Sequence, residues 1–126
     1  MPIALVASSR LSRRPTLFAS PFATAGLPTQ NWQLFAAQAR FPASSVPIAG
    51  ASNTFVRVGD ARSRSTFHFC PTCGATVYYT SEGREDSIVI PVGAFADPAF
   101  PAPTFSVYEE RMHTWVEMPA GIEHMT

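Results

Sequence analysis

Thr66-Phe-His-Phe-Cys-Pro-Thr-Cys-Gly-Ala-Thr-Val-Tyr-Tyr-Thr80 is the stretch from which the fold is best read. Its opening residues alternate, with Phe67 and Phe69 on one face of a strand and Thr66 and His68 on the other. Thr76-Val-Tyr-Tyr-Thr80, dense in β-branched and aromatic residues, forms a second strand. Between them lies Cys70-Pro-Thr-Cys73-Gly. The two-residue gap lets both thiolates face one point while turn amides donate hydrogen bonds to the sulfurs. Gly74 can take a positive φ where the chain leaves the turn. A turn of this kind between two strands has the form of a zinc knuckle. A thioredoxin-like redox pair instead opens a helix after a strand, and Thr76–Thr80 is a poor helix start. The remaining reading is a pair of buried, inert thiols, a common state of free cysteine.

Working outward, Thr54-Phe-Val-Arg-Val58 alternates around a charged position and ends at the turn signal Gly59-Asp60. Ser81-Glu-Gly-Arg-Glu-Asp86 reads as a polar hairpin loop leading into Ser87-Ile-Val-Ile-Pro-Val92. Thr104-Phe-Ser-Val-Tyr108 and Thr114-Trp-Val-Glu-Met118 follow as further strands. Twelve prolines argue against long helices, and there is no internal repeat. The expectation is an all-β domain of short antiparallel strands around the knuckle.

Bulk properties narrow the function. A chain of 126 residues is one domain's worth, and 46% hydrophobic residues support a packed core. Net charge is zero with 14% charged residues, so the broad basic surface of a nucleic-acid binder is not expected. All nine basic residues are arginine, a skew in keeping with a GC-rich gene. Two cysteines cannot make the disulfide framework of a secreted mini-protein, and no apolar run spans a bilayer. A soluble protein of a reducing compartment, the cytoplasm, is expected, with no membrane partner.

A structural zinc ordinarily takes four protein ligands, and Cys70 and Cys73 supply two. The nitrogen donors in the chain are His68, His113 and His124. His68 shares a strand face with Cys70, so it is a candidate ligand, although a lone strand histidine is more often a surface residue. His113 sits in the polar Glu109-Glu-Arg-Met-His113, and His124 lies close to the C-terminus, where fraying is expected. A homodimer pooling two cysteine pairs also completes a four-thiolate site. Half a site holds zinc weakly, because each missing thiolate removes a large share of the about 10–16 kcal/mol typical of structural zinc.

Residues 1–34 differ in character. They are rich in Ala, Ser, Pro and Arg, and the first acidic residue of the chain is Asp60. Pro2, Pro15, Pro21 and Pro28 interrupt any helix or central strand. An organellar transit peptide has this composition, but Pro15 and Pro21 spoil its amphipathic helix. Disorder is the bland alternative. A substitute edge strand around Leu17-Phe-Ala or Pro21-Phe-Ala is a further one.

Phe67-His-Phe-Cys70-Pro-Thr-Cys73-Gly-Ala-Thr-Val-Tyr-Tyr79, then Pro91-Val-Gly-Ala-Phe-Ala-Asp-Pro98, then Trp115 and Pro119-Ala-Gly-Ile-Glu123 form an ordered series. This series resembles the glutathione-dependent formaldehyde-activating enzyme family, which includes centromere protein V-like proteins, over residues 35–126. The resemblance implies an all-β, Mss4-like β-tent with two zinc sites. The structural one joins an N-terminal Cys-x-Cys pair to a Cys-Pro-x-Cys pair, here Cys70 and Cys73. The proposed catalytic one uses a cysteine cluster ahead of a Gly-Ser-x-Phe segment. There glutathione and formaldehyde are thought to combine into S-hydroxymethylglutathione, the reverse of a carbon–sulfur lyase reaction. The implied partner is a small thiol such as a glutathione adduct.

The chain departs from that pattern before Cys70, where it has no cysteine at all, and Asn31-Trp-Gln-Leu-Phe35 replaces the Gly-Ser-x-Phe segment. A wrong reading frame over residues 1–34 of a GC-rich gene accounts for both the missing motifs and the odd composition. A diverged paralogue is the competing account. Three functional readings follow: an impaired member of the lyase family, a non-catalytic zinc-binding β module, or a truncated product that folds poorly. Glu109, Glu110 and Glu117 near His113 read as surface charges. Phe95, Phe100, Phe105, Tyr108 and Trp115 read as core more readily than as a groove.

Overall fold

The computed structural model describes residues 4–5, 16–20, 36–59, 62–107, 109 and 112–125. Its strands are β1 (Ala4–Leu5), β2 (Thr16–Ser20), β3 (Ala36–Pro42), β4 (Ile48–Ala49), β5 (Asn53–Val58), β6 (Arg64–Phe69), β7 (Thr76–Ser81), β8 (Ser87–Pro91), β9 (Phe105–Val107) and β10 (Glu123–Met125). Short 3-10 turns occur at Ala43–Ser45 and Val92–Phe95. One sheet runs in the order β10-β9-β2-β3-β8-β7-β6-β5, and β1 pairs separately with β4. All pairings are antiparallel except those of β9, which runs parallel to β2 and β10. The protein is therefore all-β, with no α-helix among the described residues. No helix there is long and apolar enough to cross a membrane.

The sheet is organised around β8. Ile88, Val89 and Ile90 are buried in succession, so the strand needs cover on both faces. On one face Ile88 and Ile90 lie opposite Phe41 and Ala39 of β3, and Tyr78 and Val46 join them. Phe95 and Phe100 cap this cluster, stacked on each other at 4.6 Å with Phe95 5.9 Å from Phe41. On the other face Val89 meets Tyr79 and Phe67, with Phe105 and Val107 packed against them. The Tyr79 hydroxyl donates to the buried Gln38 amide oxygen at 2.5 Å, which satisfies two polar groups the sheet has enclosed.

The Pro91–Pro98 series is a scaffold for that aromatic cap. Its 3-10 turn ends at Ala96 in a left-handed conformation (φ 49°), and the Asp97 carboxylate then accepts the Ala99 amide. Phe95 and Phe100 thus fall on the same cluster, as a core reading of them requires. Phe105 is core as well, whereas Trp115 is 67% exposed. Tyr108 lies outside the described residues, as do Asp60, Glu110 and 31–35.

Two expectations need adjustment. Thr114–Met118 is not a strand: Thr114 and Trp115 form a turn and the Val116 amide donates to His113 O. The available edge of β9 is instead taken by Glu123–Met125, so an alternating segment was left without a ladder. Val92 leaves the sheet as the first residue of its 3-10 turn. Within residues 1–34, Thr16–Ser20 pairs on both sides, with β3 and with β9.

Ile90→Ala should cost about 2–5 kcal/mol, because the side chain is fully enclosed and its cavity cannot collapse against flanking strands. Urea denaturation monitored by tyrosine and tryptophan fluorescence measures it. Tyr79→Phe should cost about 1–3 kcal/mol by orphaning Gln38. Adding Gln38→Leu to that variant should recover part of the loss, and simple additivity in the double-mutant cycle would contradict the pairing.

Candidate metal centre

The knuckle is built by the β6–β7 hairpin. Pairing reaches Phe69 opposite Thr76, with a register shift between His68 and Phe69. Beyond it the Cys70 amide donates to Ala75 O at 2.9 Å and the Gly74 amide to Cys70 O at 2.8 Å. Gly74 has φ 76°, and a Cβ there would meet nothing within 4 Å. Glycine is needed at this point for its backbone conformation and not for room.

Inside the turn, the amides of Cys73 and Thr72 donate to the Cys70 sulfur, and these hydrogen bonds hold the thiol below its usual pKa. Amides aimed at a cysteine sulfur are the arrangement that favours a thiolate, the form that ligates metal. Cys70 is half-buried, and Pro71 through Ala75, including Cys73, are exposed. Donor chemistry and turn geometry fit two ligands of a tetrahedral zinc site.

The histidines are placed apart from the cysteine pair. Among the described residues no group of three or more His, Cys, Asp or Glu side chains is placed to hold a metal. His68 shares a 3.1 Å hydrogen bond with Ser52 Oγ and stacks on Tyr78 across the strand pair at 4.2 Å. Burial lowers the His68 pKa and raises that of Tyr78. His113 lies against Trp115, with ring centroids 5.9 Å apart.

His124 belongs to a cluster that sequence reasoning did not find. Its Nδ1 is 2.5 Å from Glu109 Oε1, and the buried Ser106 hydroxyl donates to the same oxygen. Glu109 therefore faces His124 and not His113, the histidine nearer in sequence. Only the parallel pairing of β10 with β9, His124 opposite Ser106, brings the three together, and no local pattern announces it. Both the hydroxyl and the imidazole point at the carboxylate, so the histidine is not placed as a base toward the serine.

In metal-free protein the Cys70 thiolate is favoured by folding. That advantage is present above the unfolded thiol's pKa and fades as pH falls through the lower folded value. With Cys73→Ser isolating the site, iodoacetamide alkylation of Cys70 should reach half-maximal rate at a lower pH than in the urea-unfolded chain. Coincident pH profiles would refute the hydrogen-bonded thiolate.

A family model described as glutathione-dependent formaldehyde-activating enzyme matches residues 30–111. No curated relative matches the chain. The matched span runs through β3 to β9 and contains the whole Cys70–Cys73 turn and the Pro91–Pro98 scaffold. With well over half of its length covered, and the all-β sheet in place, the chain belongs to the glutathione-dependent formaldehyde-activating enzyme family.

Proposed function

We propose that this chain is a zinc-binding β module of its family, with Cys70 and Cys73 as structural ligands and little or no carbon–sulfur lyase turnover. The observation that carries the reading is the knuckle, whose amides are aimed at the Cys70 sulfur. The family is generally zinc-associated, in keeping with a metal at this turn. A bound zinc would tie the end of β6 to the start of β7 and neutralise two thiolates that lie close together.

Catalysis asks for more. A lyase metal needs ligands of its own plus an open position to polarise a thiol or carbonyl. The chain has no cysteine beyond this pair, and its three histidines are spread over three separate environments. The family's substrate class, a small thiol such as a glutathione adduct, is the one to offer in an assay. A chain whose only cysteines are this closely spaced pair suits a reducing compartment such as the cytoplasm. The second reading, retained lyase activity, draws on family membership itself.

Protein purified under reducing conditions should contain zinc, lose it on Cys70→Ser or Cys73→Ser, and show a lower Tm after chelation. S-hydroxymethylglutathione formation should not exceed the uncatalysed rate. Two zincs per chain, or turnover that survives removal of trace enzyme, would establish the lyase reading instead.

A further inference from the structure

Resting on the zinc reading above, we propose that the missing half of the metal site is supplied by a second copy of this chain. Two knuckles would meet tip to tip on a two-fold axis, and a single zinc would be held by Cys70 and Cys73 of each copy.

Three observations lead there. The first is donor supply: two thiols per chain, with His68 bonded to Ser52, His124 bonded to Glu109, and no histidine grouped with the cysteines among the described residues. Among the described residues nothing else joins the pair, and a soft, four-thiolate shell is one of the standard ways to close a structural zinc site. The second is access. Pro71, Thr72, Cys73, Gly74 and Ala75 are all exposed, and the space beside Gly74 is open. The third is charge: the tip carries no charged side chain besides the thiols, so the repulsion between two copies is that of the thiolates alone, which the metal offsets. An isologous contact uses the same patch twice, which suits a site that is half complete on every copy.

A different self-association must be separated from this one. β5 is an edge strand with Phe55, Val56 and Val58 exposed, the kind of edge on which sheets join. Antiparallel pairing of β5 with a second β5 would set the two knuckles at opposite ends of a six-residue strand, about 20 Å apart. Zinc bonds of about 2.3 Å cannot span that distance. Edge pairing and zinc bridging are therefore alternative dimers.

Zinc titration of the apo-protein, followed by analytical ultracentrifugation, distinguishes them. The bridge predicts a doubling of mass complete at one zinc per two chains, reversed by chelator and abolished by Cys73→Ser. Cobalt in place of zinc should give the intense visible bands of a tetrahedral four-thiolate site. Val56→Lys, on the edge strand, should leave zinc-dependent dimerisation unchanged. One zinc per monomeric chain would overturn the bridge and leave the structural zinc site standing, whereas failure to bind zinc would overturn both. Loss of the dimer in Val56→Lys with its circular dichroism unchanged would assign association to the edge instead.

Discussion

Burial of Ile88, Val89 and Ile90 on both faces of one strand is the constraint on which the sheet depends. A strand enclosed on both sides must have neighbours that each bring an apolar face, and β3 and β7 do so in complementary ways. Phe41, Ala39 and Tyr78 fill one side, and Tyr79 fills the other. A large apolar side chain such as Phe41 or Ile90 is worth roughly 1.5–3 kcal/mol when fully buried. The polar cost of the arrangement is concentrated at Gln38, which the Tyr79 hydroxyl offsets. Burial declines away from this centre, so β5 is left almost entirely exposed. The knuckle sits between these regimes, anchored by buried Phe67 and Tyr79 and open at its tip.

Where periodicity and turn chemistry coincide, the fold could be read directly. β6, the Cys70–Gly74 turn, β7, the Ser81–Asp86 loop and β8 are consecutive hairpin elements, and each is specified by residues within its own span. Gly83 at φ 82° and the Glu85 carboxylate accepting its amide close the loop as a polar turn should. β3 was harder. Ala36-Ala-Gln-Ala-Arg-Phe-Pro42 carries helix-favouring alanines and two polar residues on one strand face. Its strand character comes from pairing with β8, which burial of Ala39 and Phe41 rewards. Thr114–Met118 shows the converse, since alternation without an available edge produced only a turn around a buried Val116.

The same division governs the site. Cys70 and Cys73 were legible because two thiols at this spacing, followed by glycine, have few structural uses. The turn itself is present, with the Cys73 and Thr72 amides on the Cys70 sulfur. His68 was the nearest additional donor by alternation, yet its ring turns to Ser52 and Tyr78. Strand alternation fixes the face of a side chain but not what it meets there, and an aromatic neighbour directly across the ladder competes well for an imidazole. The Glu109–His124 contact was beyond local reading altogether, because it depends on a parallel pairing of the C-terminal strand.

These features separate the stability of the sheet from any chemistry at the two cysteines. The knuckle's backbone is closed by Cys70–Ala75 and Gly74–Cys70 hydrogen bonds, and its flanking strands are held by the Phe67–Tyr79 and His68–Tyr78 pairs. None of these contacts requires zinc. A small zinc finger folds only when its metal is present, because it has little core of its own. Here a core on both faces of β8 supports the hairpin, so the shape of the turn does not depend on a metal. A preformed pair of ligands lowers the ordering cost of adding two more, whichever chain they come from. The platform on which Cys70 and Cys73 are displayed is therefore a product of the sheet's own core.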